Sequence, residues 1–102
     1  MSVTWIDNQE EFESLVESVT RVVADFSAPA WCVPCQRLAP HFEAASDESD
    51  AVFVAVDVDN AQWAMLEYGI QGVPTIMLFE NGKYVKHLKE RTAPKLLAEI
   101  NE

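Results

Sequence analysis

The 102 residues are the usual size for a single domain, 1–102 with no linker, and a hydrophobic content of 49% is enough for one contiguous core. Seventeen acidic against seven basic side chains give a net charge of -10, which repels phosphate backbones and anionic bilayers and so excludes nucleic acid and membrane as primary partners. No apolar run approaches the roughly 18 residues of a membrane span, and the opening MSVTWIDNQE lacks the basic and apolar segments of a signal peptide; a soluble, cytoplasmic monomer is expected.

The first apolar residues, near Val3 to Ile6, read as a short strand. Asp7, with Glu10 three residues on, reads as the cap of a helix ending near Ser18, in which Phe12, Leu15, Val16 and Val19 recur at helical spacing. Arg21 to Phe26 is short, apolar and β-branched, interrupted by Asp25, and reads as a buried strand. After the loop Ser27-Ala28-Pro29-Ala30, a helix from Val33 to about Glu48 carries Leu38, Phe42 and Ala45 on one face and is bent at Pro40. Val52 to Val58 is the most continuous apolar run and is expected to be the central strand. Asp59 or Asn60 can cap a helix that turns Trp63, Leu66 and Ile70 inward and ends at a left-handed Gly69. Thr75 to Phe79 reads as a further strand, and Asn81-Gly82 as a hairpin turn to a partner over Tyr84 to Lys89. Thr92, Ala93 and Pro94 open a last helix with Leu96, Leu97 and Ile100 facing in. Strand-helix-strand order implies parallel pairing, and the terminal hairpin adds an antiparallel edge, so the fold class is α/β with a mixed sheet between helices. The basic residues gather late: residues 81–102 hold five of the seven, which suits a docking face but equally an edge strand guarded against aggregation.

The only two cysteines are Cys32 and Cys35, too close for a structural framework. At this spacing the first thiol stands at a helix N-terminus, where unpaired N–H groups favour the thiolate, which makes Cys32 the nucleophile and Cys35, one turn in, the resolving thiol. Pro34 removes one N–H donor and no Lys, Arg or His lies within three residues of Cys32, so its acidity should be moderate and its potential towards the reducing end. The competing reading is half a zinc site completed by His41 and His87, against which stand the strand-to-helix context and the lack of a second paired-ligand motif; no metal is expected.

Trp31-Cys32-Val33-Pro34-Cys35 together with Gly72-Val73-Pro74-Thr75 resembles the thioredoxin family, and Asp25-Phe26, Ala39-Pro40, Val56-Asp57-Val58-Asp59, Tyr68-Gly69-Ile70 and Asn81-Gly82 are similar to its landmarks across nearly the whole chain. The resemblance implies the thioredoxin fold, a central mixed five-stranded sheet flanked by four helices, and reduction of protein disulfides by dithiol-disulfide exchange without a bound cofactor. It implies a cis Pro74 beside the cysteines, a Val73 backbone that pairs with an extended substrate segment, Trp31 as an apolar contact, and Asp25 as the proton acceptor for Cys35. An aromatic at position 31 also suits core packing, and an aspartate at a strand end also suits solvent. The implied partners are protein disulfide substrates and an electron donor similar to thioredoxin reductase, since no nucleotide-binding glycine motif is present. Glutathione-dependent exchange of the glutaredoxin type fits less well with the N-terminal strand-helix element and the Val-Pro dipeptide.

Four positions depart from the family pattern. Ser27 to Ala30 is one residue longer than usual, with Ser27 where a second Trp is common, and Val33 replaces Gly. Ala55 stands where relatives carry a charged partner for the buried aspartate. Glu90 replaces a Gly on the substrate-docking surface, where a carboxylate would repel acidic targets and narrow the partner range. That last departure keeps open an alternative, an assembly or binding subunit in which the dithiol is not essential.

Overall fold

The computed structural model describes residues 3–102. In chain order its elements are β1 (Val3–Trp5), α1 (Gln9–Ser18), β2 (Arg21–Ser27), α2 (Val33–Glu48), β3 (Val52–Asp57), α3 (Trp63–Tyr68), β4 (Thr75–Glu80), β5 (Lys83–Leu88) and α4 (Ala93–Ile100). The five strands form one sheet in the order β1-β3-β2-β4-β5. β1, β3 and β2 run parallel, as helical crossovers require, while β4 runs antiparallel to β2 and β5 antiparallel to β4. This is the mixed sheet with four helices that the sequence pattern implies.

Alternation along β2 divides the core into two layers. Val22, Ala24 and Phe26 face the layer that holds Phe12 and Val16 of α1 and Ala64 of α3. Val23 faces the other, with Leu38 and Phe42 of α2, Phe53, Ile76, and Leu96 and Ile100 of α4. Burial on both faces explains why β2 and β3 both read as near-continuous apolar runs. The middle of the sheet is β2, however, and β3 lies one place towards the edge. Apolar continuity reports coverage of both faces and does not rank the inner strands, so the expectation that Val52 to Val58 is central is corrected.

Helix starts fall differently from the sequence reading in two places. Asn8, not Asp7, caps α1, its Oδ1 accepting from Glu11 N–H at 2.9 Å. Asp7 is drawn instead to the β3 end, where its Oδ1 accepts from Asp57 N–H and its carbonyl from Trp63 Nε1. Likewise Asp59 and Asn60 do not cap α3; they belong to a turn gathered by Asp57, whose carbonyl accepts from Asn60 and Ala61 N–H. α3 therefore begins only at Trp63, with Ala64 as its buried residue. Leu66, two positions on, points away and is 88% exposed, against the expectation that it faces in. Gly69 ends this helix in the left-handed region at φ 62.

The hairpin turn holds Asn81 at φ 54 and Gly82 at φ 83, both left-handed, which matches the twist of the flanking strands. It is tied down by Asn81 N–H donating to Thr20 O at 2.8 Å. Arg21 braces the same end, its guanidinium donating to Glu80 Oε2 at 2.8 Å and to the Ile100 carbonyl at 2.8 Å.

Phe12 is fully buried, with ring centroids of Phe26, Trp63, Tyr68 and Phe79 between 5.7 and 5.9 Å away. Phe12→Ala is expected to cost about 3–5 kcal/mol in urea unfolding. Leu66→Ser should cost less than about 0.5 kcal/mol, and a larger loss would show that α3 packs its other face inward.

Candidate active site

The site is assembled where β2 leaves the sheet. β2 extends through Ser27, whose carbonyl accepts from Val58 N–H at 2.9 Å, and the chain then turns tightly about Ala28. The Ala28 carbonyl accepts from both Trp31 N–H (3.2 Å) and Cys32 N–H (2.9 Å), and the Pro29 carbonyl accepts from Gln36 Nε2 at 2.9 Å. The longer loop is thus taken up in a hydrogen-bonded turn that delivers Cys32 to the N-cap of α2.

Cys32 and Cys35 are joined as a disulfide, with Cα atoms 5.2 Å apart. The sulfur of Cys32 takes the place of a capping oxygen, with Cys35 N–H directed at it from 3.2 Å. Pro34 contributes no N–H to the helix start, so this is the one amide directed at that sulfur among the described residues. Both cysteines are nearly covered, at 4% and 2% exposure, so exposure does not distinguish them. What distinguishes them is position: Cys32 is the cap and Cys35 lies inside the first turn.

The Val73-Pro74 bond is cis, in the loop between α3 and β4. That loop brings Val73 O to 3.7 Å from Cys32 Sγ and is braced by Thr75 Oγ1 donating to Gly72 O at 2.6 Å. Among the described residues the Val73 N–H meets no protein acceptor. Trp31 is 62% exposed, on the surface and not in the core, with its Nε1 donating to Asp59 Oδ2 at 2.9 Å. It borders an apolar cleft with Met65, Leu66 and Val73.

Asp25 is buried at 4% exposure, not at a solvated strand end. The pleat turns it to the same face as Val23, the face covered by α2 and α4, and its neighbours in register are Ala55 on β3 and Ile76 on β4. Neither neighbour can pair with a carboxylate, and Oδ1 has no hydrogen-bond partner among the described residues. Burial therefore pushes the carboxyl from 3.8 up to about 7, with the Arg91 guanidinium pulling in the other direction.

Glu90 follows β5 and is half-buried, its N–H donating to Glu99 Oε1 at 3.0 Å. Its neighbour Arg91, and not Glu90, lines a second cleft that starts at Pro34 and continues past Arg37, Leu38 and His41. His87 bonds to the Tyr84 hydroxyl at 2.6 Å, and no cluster of three or more His, Cys, Asp and Glu side chains is placed to hold a metal among the described residues. Trp31 and Val73 of the apolar cleft are residues that the sequence singles out, whereas Met65, Leu66 and the two arginines of the second cleft are not among its candidate site residues. Met65 and Leu66 were hidden by the helix phase, while Arg37 and Arg91 are 54 positions apart and meet only through the fold.

The family model described as Thioredoxin matches residues 3–102. Thioredoxin-1 of Schizosaccharomyces pombe is 37% identical over 99 residues, covering 96% of this chain and 95% of that one. The thioredoxin of Callithrix jacchus is 36% identical over 103 residues, covering 98% and 97%. Among solved structures, oxidised thioredoxin of Plasmodium falciparum superposes with a TM-score of 0.86 at 34% identity, covering 98% and 96%. A mutant thioredoxin from Halobacterium salinarum gives 0.89 at 33% identity, covering 98% of this chain and 88% of that one. With its Cys32–Cys35 disulfide at the head of α2 in a five-stranded mixed sheet, the chain belongs to the thioredoxin family, oxidoreductases that reduce protein disulfides by dithiol-disulfide exchange.

Proposed function

We propose that Cys32 and Cys35 carry this exchange with Asp25 as their proton acceptor, on extended protein segments held by Trp31, Val73 and Pro74. In the reduced chain the Cys32 thiolate attacks a substrate disulfide; a Cys32–substrate bond forms, the substrate disulfide breaks, and the leaving sulfur takes up a proton. Cys35 then gives its proton to Asp25 and attacks Cys32 Sγ, which expels the second substrate thiolate and forms the Cys32–Cys35 disulfide. Two electrons have passed to the substrate. An electron donor similar to thioredoxin reductase returns the pair to the dithiol, and the chain works as a monomer in the cytoplasm.

The reading rests on the amide of Cys35 directed at the Cys32 sulfur, an arrangement that stabilises a thiolate on Cys32 in preference to Cys35. The Val73 N–H, without a protein acceptor among the described residues, and the Val73 carbonyl, whose oxygen is 3.7 Å from that sulfur, suit strand-like pairing with a substrate backbone, which gives affinity without demanding a sequence. A buried carboxyl titrating at about 7 is matched to accept a thiol proton near neutrality. No helix among the described residues is long and apolar enough to cross a membrane, and the use of both cysteines in one redox pair fits a reducing compartment. Glu90 is assigned a role in partner choice only, since it stands beside the docking surface and not at the sulfurs.

Insulin-disulfide reduction with dithiothreitol as electron source tests the scheme. The wild type should accelerate precipitation, Cys32→Ser should reduce the rate to that of dithiothreitol alone, and Cys35→Ser should accumulate a mixed disulfide visible by mass. A folded but inactive wild type would instead support the assembly-subunit reading.

Asp25 gives a second test. Its carboxyl ionises near 3.8 when unfolded and near 7 when folded, so in that window only the folded chain keeps the proton and stability falls as pH rises. In Asp25→Asn this fall is absent. The stability of the variant relative to wild type should therefore grow by on the order of 3 kcal/mol between about pH 5 and pH 8.5, measured by urea unfolding of the oxidised forms. A pH-independent difference would mean that Asp25 is ionised in the folded chain across this range.

A further inference from the structure

We infer that the cleft beside Pro34 is a recognition subsite for a carboxylate on the substrate, so that this chain favours protein segments with an acidic residue near the disulfide; the inference rests on the disulfide-reductase reading. The cleft has a volume of about 290 Å³ and is lined by Pro34, Arg37, Leu38, His41, Arg91 and Thr92. In a chain with 17 acidic and seven basic side chains, it gathers two arginines and a histidine and no carboxylate. Neither arginine enters an ion pair among the described residues. The guanidinium of Arg91 is instead oriented by two backbone carbonyls, its Nη1 donating to Lys89 O at 3.1 Å and Glu90 O at 3.3 Å; its charge also acts on the buried Asp25 carboxyl, with which it forms no ion pair among the described residues. A guanidinium held in this way matches a carboxylate in shape and charge, and the exposed Arg37 adds a second one to the same cleft.

The position of the cleft identifies its occupant. Pro34 lies between the two cysteines, and the run from Pro34 to His41 follows α2 for about two turns, roughly 10 Å. That length equals about three residues of extended chain. A segment whose sulfur is bonded to Cys32 can thus bring a side chain two to four residues away against Arg37 and Arg91. A net charge of -10 does not oppose this, because at physiological ionic strength exposed charges more than about 8 Å away are largely screened and the nearest groups dominate. The effect reverses the expectation drawn from Glu90 alone, since the neighbouring Arg91 lines the cleft and Glu90 does not.

The probes are two synthetic peptide disulfides, identical except for Asp and Glu, or Asn and Gln, at positions two to four from each cysteine. Pre-reduced protein is mixed with each, and the second-order rate constant is read from tryptophan fluorescence, since Trp31 adjoins the dithiol. Each constant is divided by that of dithiothreitol with the same peptide, which removes intrinsic differences in disulfide reactivity. An exposed ion pair is worth roughly a 1.4- to fivefold change, so the acidic peptide should react about fivefold faster with wild type, less so in about 0.5 M NaCl. Arg37→Gln should lower the ratio and Arg37→Gln/Arg91→Gln should bring it to about one. Because each variant is compared between two peptides, a general loss of activity does not affect the ratio, and Arg37, exposed on α2, can be replaced without disturbing the core.

A wild-type ratio of one or less, or a preference that persists in the double variant, overturns the subsite while leaving the reductase reading intact. Failure to reduce either peptide overturns the reductase reading itself. Glutathione disulfide is the third probe: an arginine-dependent rate exceeding that of the acidic peptide would assign the cleft to a small carboxylate disulfide and overturn its assignment to protein segments.

Discussion

A helix must satisfy the N–H groups of its first turn, and α2 does so in part with sulfur. Cys32 occupies the N-cap, where serine, threonine or aspartate would ordinarily supply an oxygen, and receives the Cys35 amide. The same contact therefore completes the helix and biases charge towards one of two neighbouring thiols. Everything around it serves to fix that cap in place. β2 runs at the middle of the sheet to Ser27, the Ala28 carbonyl takes the amides of Trp31 and Cys32, and the Val73-Pro74 loop closes over the sulfur from the opposite side.

Beneath the helix the sheet keeps a group that packing alone would not select. Asp25 stands in register with Ala55 and Ile76, where an apolar residue would be more stable, and its Oδ1 is left without a protein partner. A carboxyl in such a place stays protonated well above its ordinary range, so the folded chain holds a buried group that gives up its proton only near and above neutrality. With no charged neighbour in register on β3, the cation acting on it is Arg91, from the connection between β5 and the last helix. The segment that lines one side of the cleft beside Pro34 thereby also influences the buried carboxyl.

How much of this could be read in advance depends on whether a feature is local in the chain. The hairpin turn at Asn81-Gly82, the left-handed Gly69, the span of α2 and the pairing of Cys32 with Cys35 are set by a few adjacent residues, and each is found where the sequence places it. The cap of α1 moved from Asp7 to Asn8 because Asp7 is needed by Asp57 and Trp63, some 50 positions away, and local chemistry cannot weigh that competition. The phase of α3 was lost for a similar reason. Asp57 gathers Asp59 to Ala61 into a turn, the helix starts late, and Leu66 swings from the expected core face to the surface. The burial of Asp25 was legible from the apolar run around it, but its lack of a partner required the register of β3 and β4.

The surface around the dithiol divides into regions of different chemistry. On one side Trp31, Met65, Leu66 and Val73 border an apolar cleft; on the other, past Pro34, lie Arg37, His41 and Arg91. The cap, the neighbouring cysteine and the Asp25 carboxyl are all held by backbone and buried contacts. Exposed side chains of the clefts can therefore vary without disturbing the dithiol, because among the described residues Val73 is the one member of either lining with a polar contact to a sulfur. Glu90 illustrates the separation. Its backbone is fixed by Glu99 and its carbonyl accepts from Arg91, so this residue bears on the cleft beside Pro34 through the cation it helps orient. A glycine at that position would retain both backbone contacts and remove only the carboxylate, so the charge beside Arg91 can change without altering the contacts of the dithiol.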